Sequence, residues 1–361
     1  MSKTLIIIFA ALLFFFFASA AKAQTFIYSC PYTILSSGTY YVGTDLSYNG
    51  TETCIAIMAA NVNLDCLGHA ISGNETGRGI GVVSSDHVTV QNCIIKDFDK
   101  GFHSDMSTYV TIKDSQVFSS NYGLSIENSD NVVVQNVSSL LNSYGMRFIN
   151  TSATVSSSQA SNNNVGISFS NSHTDEVSGS TISNNVFGLT FDNSNLAHVY
   201  GNTLYQNYQG LRANGMSYLY FYYNRIENSQ EYGMRLENFY SNYIYNNLFK
   251  NSNNVYMVGT QANYWNTTKQ AGTRIYGAGS NYIGGNYWSN PEGNGYSDTC
   301  TDSNKDAFCD SPYTIAANNM DYLPLTGLKQ YVLSVMAYDN CNFDSDKCHV
   351  DVPSPTIEIW K

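Results

Sequence analysis

A glycine returns through the middle of the chain at a nearly fixed interval, and that interval limits what the chain can fold into. Gly79, Gly101, Gly123, Gly145, Gly166, Gly188, Gly210 and Gly233 are spaced 22, 22, 22, 21, 22, 22 and 23 residues apart. An apolar residue follows each one: Ile80, Phe102, Leu124, Met146, Ile167, Leu189, Leu211 and Met234. Two residues further on runs a mostly apolar column, Val82, Ser104, Ile126, Phe148, Phe169, Phe191, Ala213 and Leu236. A third column holds Val90, Ile112, Val134, Val177, Val199, Phe221 and Ile244. Alternation within each short run is the period of a strand with one buried face. Such a unit holds no helical stretch and cannot bury its apolar face alone, so the units must stack.

Two or three short strands per unit, stacked as coils, predict an all-β, right-handed parallel β-helix. A propeller needs a period near 40 and a leucine-rich repeat its Leu/Asn signature; neither is present. Asn121, Asn142, Asn163, Asn185, Asn207, Asn228 and Asn251 fall near the ends of successive repeats. Asn tolerates left-handed backbone there, and its amide can bond the equivalent amide in the next coil. At ~4.8 Å per coil the eight Gly-started coils span roughly 38 Å, with about two more coils expected at each end.

Composition follows from the stacking. Only 12% of the 361 residues are charged, while 29 are Tyr. Identical positions in neighbouring coils lie ~5 Å apart, where like charges repel, so Asn, Ser, Thr and Tyr take the outward places. Basic residues number 17 against 28 acidic. This balance excludes nucleic acid and anionic membrane as partners, since both are bound through clustered Lys/Arg.

Residues 1–23 read as a signal peptide: Lys3, an apolar run from Leu5 to Phe17, then small residues ending at Ala23. No later stretch is apolar enough to span a bilayer, so the expected product is secreted, extracellular or at the cell surface. The expected organisation is an N-terminal cap with the first coils over 24–78 and the β-helix over 79–290. A Cys- and Asp-rich cap follows over 291–325, then a tail over 326–361. The cysteines form two groups of four, and each group allows three pairings. The pairs expected are Cys30–Cys54, Cys66–Cys93, Cys300–Cys309 and Cys341–Cys348. Sequons at Asn49, Asn74, Asn136, Asn150 and Asn266 are compatible with an exported surface.

Two stretches carry a family resemblance. One is Asn61–Gly73 leading into the glycine-started coils. The other is Gly285-Asn286-Tyr287-Trp288-Ser289-Asn290 with Asp302, Asp310-Ser311-Pro312-Tyr313 and Asp321-Tyr322-Leu323-Pro324-Leu325. Both resemble NosD-type right-handed β-helix proteins, and the coils resemble the wider group of carbohydrate-binding proteins and sugar hydrolases on that fold. The resemblance covers about residues 30–325. The copper association of the NosD group does not carry over residue by residue, because the six His are scattered and Met146 and Met234 sit in core columns.

Three surface features hold candidate chemistry. Asp302, Asn304, Asp306, the Phe308 carbonyl and Asp310 place oxygens at positions 1, 3, 5, 7 and 9 of a calcium loop. Ala307 replaces the turn Gly of an EF-hand and Tyr313 its closing Glu, so a shorter structural Ca2+ loop is expected. Asp339, Asp344 and Asp346 suggest a second, weaker site. On the strand after each Gly, the third and fifth residues should face solvent, as in His103, Arg147, Arg212 and Arg235, and in Asp105, Glu127, Asp192 and Glu237. Asp105 and Glu127, one coil apart, are within range of a retaining carboxylate pair, but paired Arg and acid columns are also plain salt ladders. The third feature is aromatic: Tyr200, Tyr222 and Tyr245 form one expected column, and His198, Tyr220 and Tyr243 another. Exposed aromatic columns suggest a contact surface for sugar rings, or else cross-strand reinforcement. The function expected is a noncatalytic module contacting a glycan or a neighbouring surface protein. The alternative is a polysaccharide lyase or glycoside hydrolase working on a β-helix face, with Asp105 and Glu127 or the Arg face. Tyr264, Trp265, Tyr287 and Trp288 are expected to cap the C-terminal end of the stack.

Overall fold

The computed structural model describes residues 24–259, 261–277 and 280–327. The signal segment and residues 328–361, with the expected Cys341–Cys348 pair and the tail acids, lie outside the described residues. The chain winds as a parallel β-helix whose coils each contribute three short strands. Eleven strands make the first face, from Tyr32–Ile34 to Val255–Val258. The second face runs from Thr25–Ile27 to Tyr243–Tyr245, and the third from Leu46–Ser47 to Tyr287–Ser289. Strands Thr108–Phe118 and Val132–Leu140 run unbroken through the corner between the second and third faces.

The glycine repeat sets the register. Phe102 pairs with Ile80 and Leu124, and Leu124 with Met146, so the first apolar column stacks coil on coil. Phe148, Phe169 and Phe191 stack in the second column with centroids 4.8 and 5.2 Å apart. The third column is continuous through Val155, which pairs with Val134 and Val177. Each repeat glycine lies under the next coil: a Cβ on Gly145 would fall 2.5 Å from the Gly166 carbonyl oxygen, closer than any side chain tolerates.

Bending the chain three times per coil leaves inward backbone groups without strand partners, and buried groups of that kind must be paired. Corner side chains pair them. Between the third and first faces, the amides of Ser120, Asn142, Asn163 and Asn185 donate to the side-chain oxygen of Asn142, Asn163, Asn185 and Asn207, at 2.9–3.0 Å. Each Asn amide nitrogen then donates to a strand-end carbonyl, as Asn185 Nδ2 does to Ala160 at 3.0 Å. A second ladder, Ser180–Asn202–Asn224–Asn247–Asn286, runs up the next corner. The first corner uses Ser, as in Ser107 to Ser129.

The sequence expectation assigned both ladder and left-handed backbone to the same Asn residues, and the structure separates them. The left-handed residue precedes the ladder residue, as Leu141, Asn162, Asn184, Gln206 and Asn228 do. Asn121 and Asn228 stand outside the ladder, with Ser120 and Ser229 in its places, where both donate their amides while the Ser229 hydroxyl is buried without a partner. A side chain can reach across the coil only from the position after the bend.

The stack closes differently at its two ends. Two coils precede Gly79, as expected, and Cys30–Cys54 and Cys66–Cys93 tie neighbouring coils there. After Val255–Val258 the chain adds one second-face rung at Tyr264, bridged to Tyr243, then leaves the helix, forms an antiparallel pair at Gln270–Ala271 and Tyr282–Ile283, and returns as Tyr287–Ser289. That last strand sets Trp288 on Phe249, 4.6 Å between centroids. The buried Asp321 carboxylate receives Asn286 N at 2.7 Å, Trp288 Nε1 at 2.9 Å and Leu323 N at 3.1 Å. Burial pushes its pKa up to about 7, with those donors pulling the other way. Trp265, Tyr287 and Trp288 are buried in this cap, while Tyr264 is not.

Asp175 puts a carboxyl where the other corner residues carry a hydroxyl, an amide or an apolar group. It lies between Ala153 and Ala197 in its column, accepts Ala153 N at 3.1 Å through Oδ1, and leaves Oδ2 buried without a partner. Burial raises its pKa to about 8, against about 3.9 in an unfolded chain. The folded state therefore holds a proton that the unfolded state releases, and this group's contribution to stability falls as pH rises from about 4 to about 8. Asp175→Asn, which supplies the ladder amide seen at Asn242, is expected to be more stable than the parent at pH 7–8. The difference should close towards pH 4. Urea midpoints across that range check it, and a pH-independent difference overturns it. Asn185→Ala, which orphans the Asn163 amide, is expected to cost on the order of 1–3 kcal/mol in the same assay.

Candidate functional site

The second face becomes aromatic because the repeats from 198 onward carry Tyr or His at both outward positions of a three-residue strand. His198, Tyr220 and Tyr243 pair in register, as do Tyr200, Tyr222 and Tyr245. In the first column the ring centroids are 4.8, 4.9 and 4.6 Å apart, with planes within 12°, because Tyr264 extends it by one more ring. In the second they are 5.2 and 5.3 Å apart, with planes within 8°. The sheet spacing of ~4.8 Å imposes this offset stacking. Tyr200 Oη donates to Glu176 Oε1 at 2.7 Å, and this bond, with burial, raises its hydroxyl pKa. Burial raises those of Tyr222 and Tyr245.

Tyr264, expected in the cap, is instead 55% exposed and belongs to this surface. The sequence held the signal, since Asn263-Tyr264-Trp265 repeats the pattern of Asn242-Tyr243-Ile244.

The first face gathers charge. Asp105 and Glu127 are neighbours in register, but each carboxylate is held by other groups. Glu127 Oε1 receives Lys100 Nζ at 3.1 Å and Ser125 Oγ at 2.9 Å, with Arg147 at 3.7 Å. Burial pushes the Glu127 carboxyl up, yet Ser125 and Lys100 outweigh it and hold the pKa below the usual range. Asp105 Oδ1 receives Asn128 Nδ2 at 3.0 Å. Lys100 and Arg147 also lie over the Tyr122 ring, at 5.9 and 5.1 Å. His103, expected to face solvent, is buried, and its Nδ1 donates to the Ser125 carbonyl at 3.1 Å. Burial, then the Lys100 and Arg78 charges, lower its pKa. Further along the face, Arg235 pairs with Glu237 at 2.7 Å within one strand.

The loop at 302–310, closed by Cys300–Cys309 as expected, turns its oxygens on its own backbone. Asp302 accepts Asp306 N and Ala307 N, Asn304 accepts Asp306 N, Asp306 accepts Phe308 N, and Asp310 accepts Ser303 N and Oγ. Lys269 Nζ lies 2.8 Å from Asp306 Oδ2. Arg274 Nη2 donates to the Ala307 carbonyl at 2.8 Å, and burial lowers the Arg274 pKa to about 10. Lys305 and Ala307 hold left-handed backbone.

The sequence matches the family described as Periplasmic copper-binding protein (NosD) over residues 24–222 and 136–293. The chain belongs to the NosD family. No curated protein matches it. Among solved structures it is similar to the mannuronan C-5 epimerase AlgE4 A-module of Azotobacter vinelandii, at 13% identity over 68% of this chain and 81% of that one, TM-score 0.48. It is also similar to the Dettilon tailspike protein (gp208), at 12% identity over 75% of this chain and 56% of that one, TM-score 0.48. Pectate lyase Pel9A is similar at 15% identity over 66% of this chain and 72% of that one, TM-score 0.34. These likenesses are of fold. The family's printed compartment, the periplasm, agrees with the three disulfides among the described residues.

Copper ligands do not converge among the described residues of this member of the NosD family. Among the described residues no three His, Cys, Asp or Glu side chains are grouped to hold a metal. The six described cysteines are in disulfides. His69 pairs with Asp45, and His87 with Asp86. His198 is stacked on Tyr220. The side chains of Met146, Met216 and Met234 are in the core.

Proposed function

We propose that this NosD-family chain is an exported, noncatalytic β-helix module that binds a glycan, or a glycan-bearing neighbour, on its second face. One observation carries the reading: two parallel columns of stacked rings, His198–Tyr220–Tyr243–Tyr264 and Tyr200–Tyr222–Tyr245, on one flat face. Flat rings with hydroxyl tips suit the apolar faces and hydroxyls of sugars. Tyr220→Ala/Tyr243→Ala is expected to abolish retention on a glycan array with the melting temperature little changed. If binding survives while melting falls, the rings serve only the sheet.

A second reading, catalysis on the first face, has His103 behind it. Its lowered pKa favours the neutral imidazole, its tautomer is fixed by the Ser125 carbonyl, and the Lys100 and Arg78 charges act on it. Such a base suits proton abstraction from an acidic sugar in a lyase. In the Asp105/Glu127 hydrolase variant, the lowered Glu127, held by Lys100 and Ser125, does not suit the general acid. Ultraviolet-absorbing unsaturated products from oligouronates, lost in His103→Ala, favour the lyase.

The proposal includes a structural Ca2+ at Asp302, Asn304, Asp306, Phe308 and Asp310. The alternating oxygens and the left-handed turns at Lys305 and Ala307 support it. Lys269 at Asp306 competes with it, and the three carboxylates, bonded to their own backbone, have to turn inward to bind the ion. Calcium is expected to raise the melting temperature and a chelator to lower it, with Lys269→Met strengthening the response. A transition indifferent to both leaves Lys269 as the counter-charge of the loop.

A further inference from the structure

Where the second face turns into the third, the coils leave a groove that none of the sites above uses. It crosses four coils along the helix axis and encloses about 560 Å³. Its corner column is Asp114, Asn136, Ser157 and Gly179, all left-handed and exposed. One wall is the third-face column Gln116, Ser138, Gln159 and Thr181, in register from coil to coil. The corner side chain shrinks to nothing at Gly179, and Gly201 keeps the next corner bare. Tyr223 stands in the same column one coil later, 37% exposed. The one charged group lining the groove is Asp114, whose carboxylate already accepts Asn136 Nδ2 at 2.8 Å. Apart from buried Val137, the rest is amide, hydroxyl and glycine.

Uncharged donors and acceptors of this kind recognise hydroxyls. They recur at the coil spacing of ~4.8 Å, close to the length of one pyranose unit in an extended chain. A polymer laid along the axis therefore meets the same chemistry at every unit. On the other side of the groove, the second-face column Gln135, Ser156 and Ser178 leads in register to Tyr200, where the ring stack begins. We propose that a neutral, extended polysaccharide lies in this groove parallel to the helix axis and continues over Tyr200 and Tyr222. This rests on the reading of the second face as a glycan surface, and adds the charge class and the direction of the chain.

The test uses the mature protein from a host without N-glycosylation, so that the sequon at Asn136 stays bare. Titration calorimetry compares cellohexaose and mannohexaose with their disaccharides and with a hexameric oligogalacturonate. A neutral hexaose is expected to bind, its disaccharide at least about tenfold more weakly, and the acidic hexamer not at all. Ser157→Tyr fills the groove with a residue the same column accepts at Tyr223, and is expected to weaken hexaose binding at least about tenfold. If that variant melts early, Gln116→Ala/Gln159→Ala removes the wall amides and reads the same effect. Binding unchanged by both groove variants but lost in Tyr220→Ala/Tyr243→Ala overturns the groove and leaves the aromatic face standing. A preference for the acidic hexamer overturns the neutral assignment. No oligosaccharide bound by the unaltered protein overturns both readings.

Discussion

The rest of this structure depends on one hydrogen bond repeated up each corner: the side-chain oxygen of one coil accepts the backbone amide of the coil before it. A chain that turns three times in about 22 residues carries bend amides into an interior that water does not reach. Those amides need partners, and no strand can supply them. Ser and Asn do so from the position after the bend, and the Asn amide returns a second bond to a strand-end carbonyl. The pairing works only if every coil repeats the last, so it fixes both the period and the register. Asp175 shows the constraint by breaking it. A carboxyl in an amide's place has one oxygen bonded and the other stranded.

The outer surface inherits that pitch. Side chains at equivalent positions are held one strand spacing apart, which suits rings and amides and penalises like charges. Tyr and His therefore stack face to face. Several of the charges that remain are paired with an opposite charge, as in Arg225 with Glu227, Arg235 with Glu237 and Lys100 with Glu127. Each face then carries its own chemistry in stripes along the axis: charge and a neutral His on the first, rings on the second, hydroxyls and amides at the corner beyond. A partner that is itself a linear repeat is the natural match for such stripes.

The residues that most resemble the NosD family at the C-terminal end prove to be architectural. Gly285-Asn286-Tyr287-Trp288 forms the last rung, and Asp321 from the second motif binds its backbone and the Trp288 indole. A Cβ at Gly285 would collide with that carboxylate. Family membership therefore says how the stack is closed, while function has to be sought in the side chains on the faces. The described residues bring no copper ligands together, and the surface stripes carry the functional argument instead.

Sequence alone determined the coil, its period, its inward columns and the pairing of the Tyr columns, because a period of 22 with alternating apolar residues has one way to bury them. The cysteine pairs 30–54, 66–93 and 300–309 agree with those expected, but each group of four allowed three pairings and the structure made the choice. Tertiary structure decided the rest. It buried His103, separated left-handed bends from ladder residues, and placed Tyr264 on the ring surface. It also gave Glu127 to Lys100 and Ser125 rather than to Asp105, and turned the Asp302–Asp310 oxygens onto their own amides. It opened a groove at the corner where Ser157 and Gly179 are small. These outcomes depend on which side chains from neighbouring coils and loops compete for one atom or one space. A periodicity cannot carry that information, because it specifies position along the stack but not the partner that reaches it first.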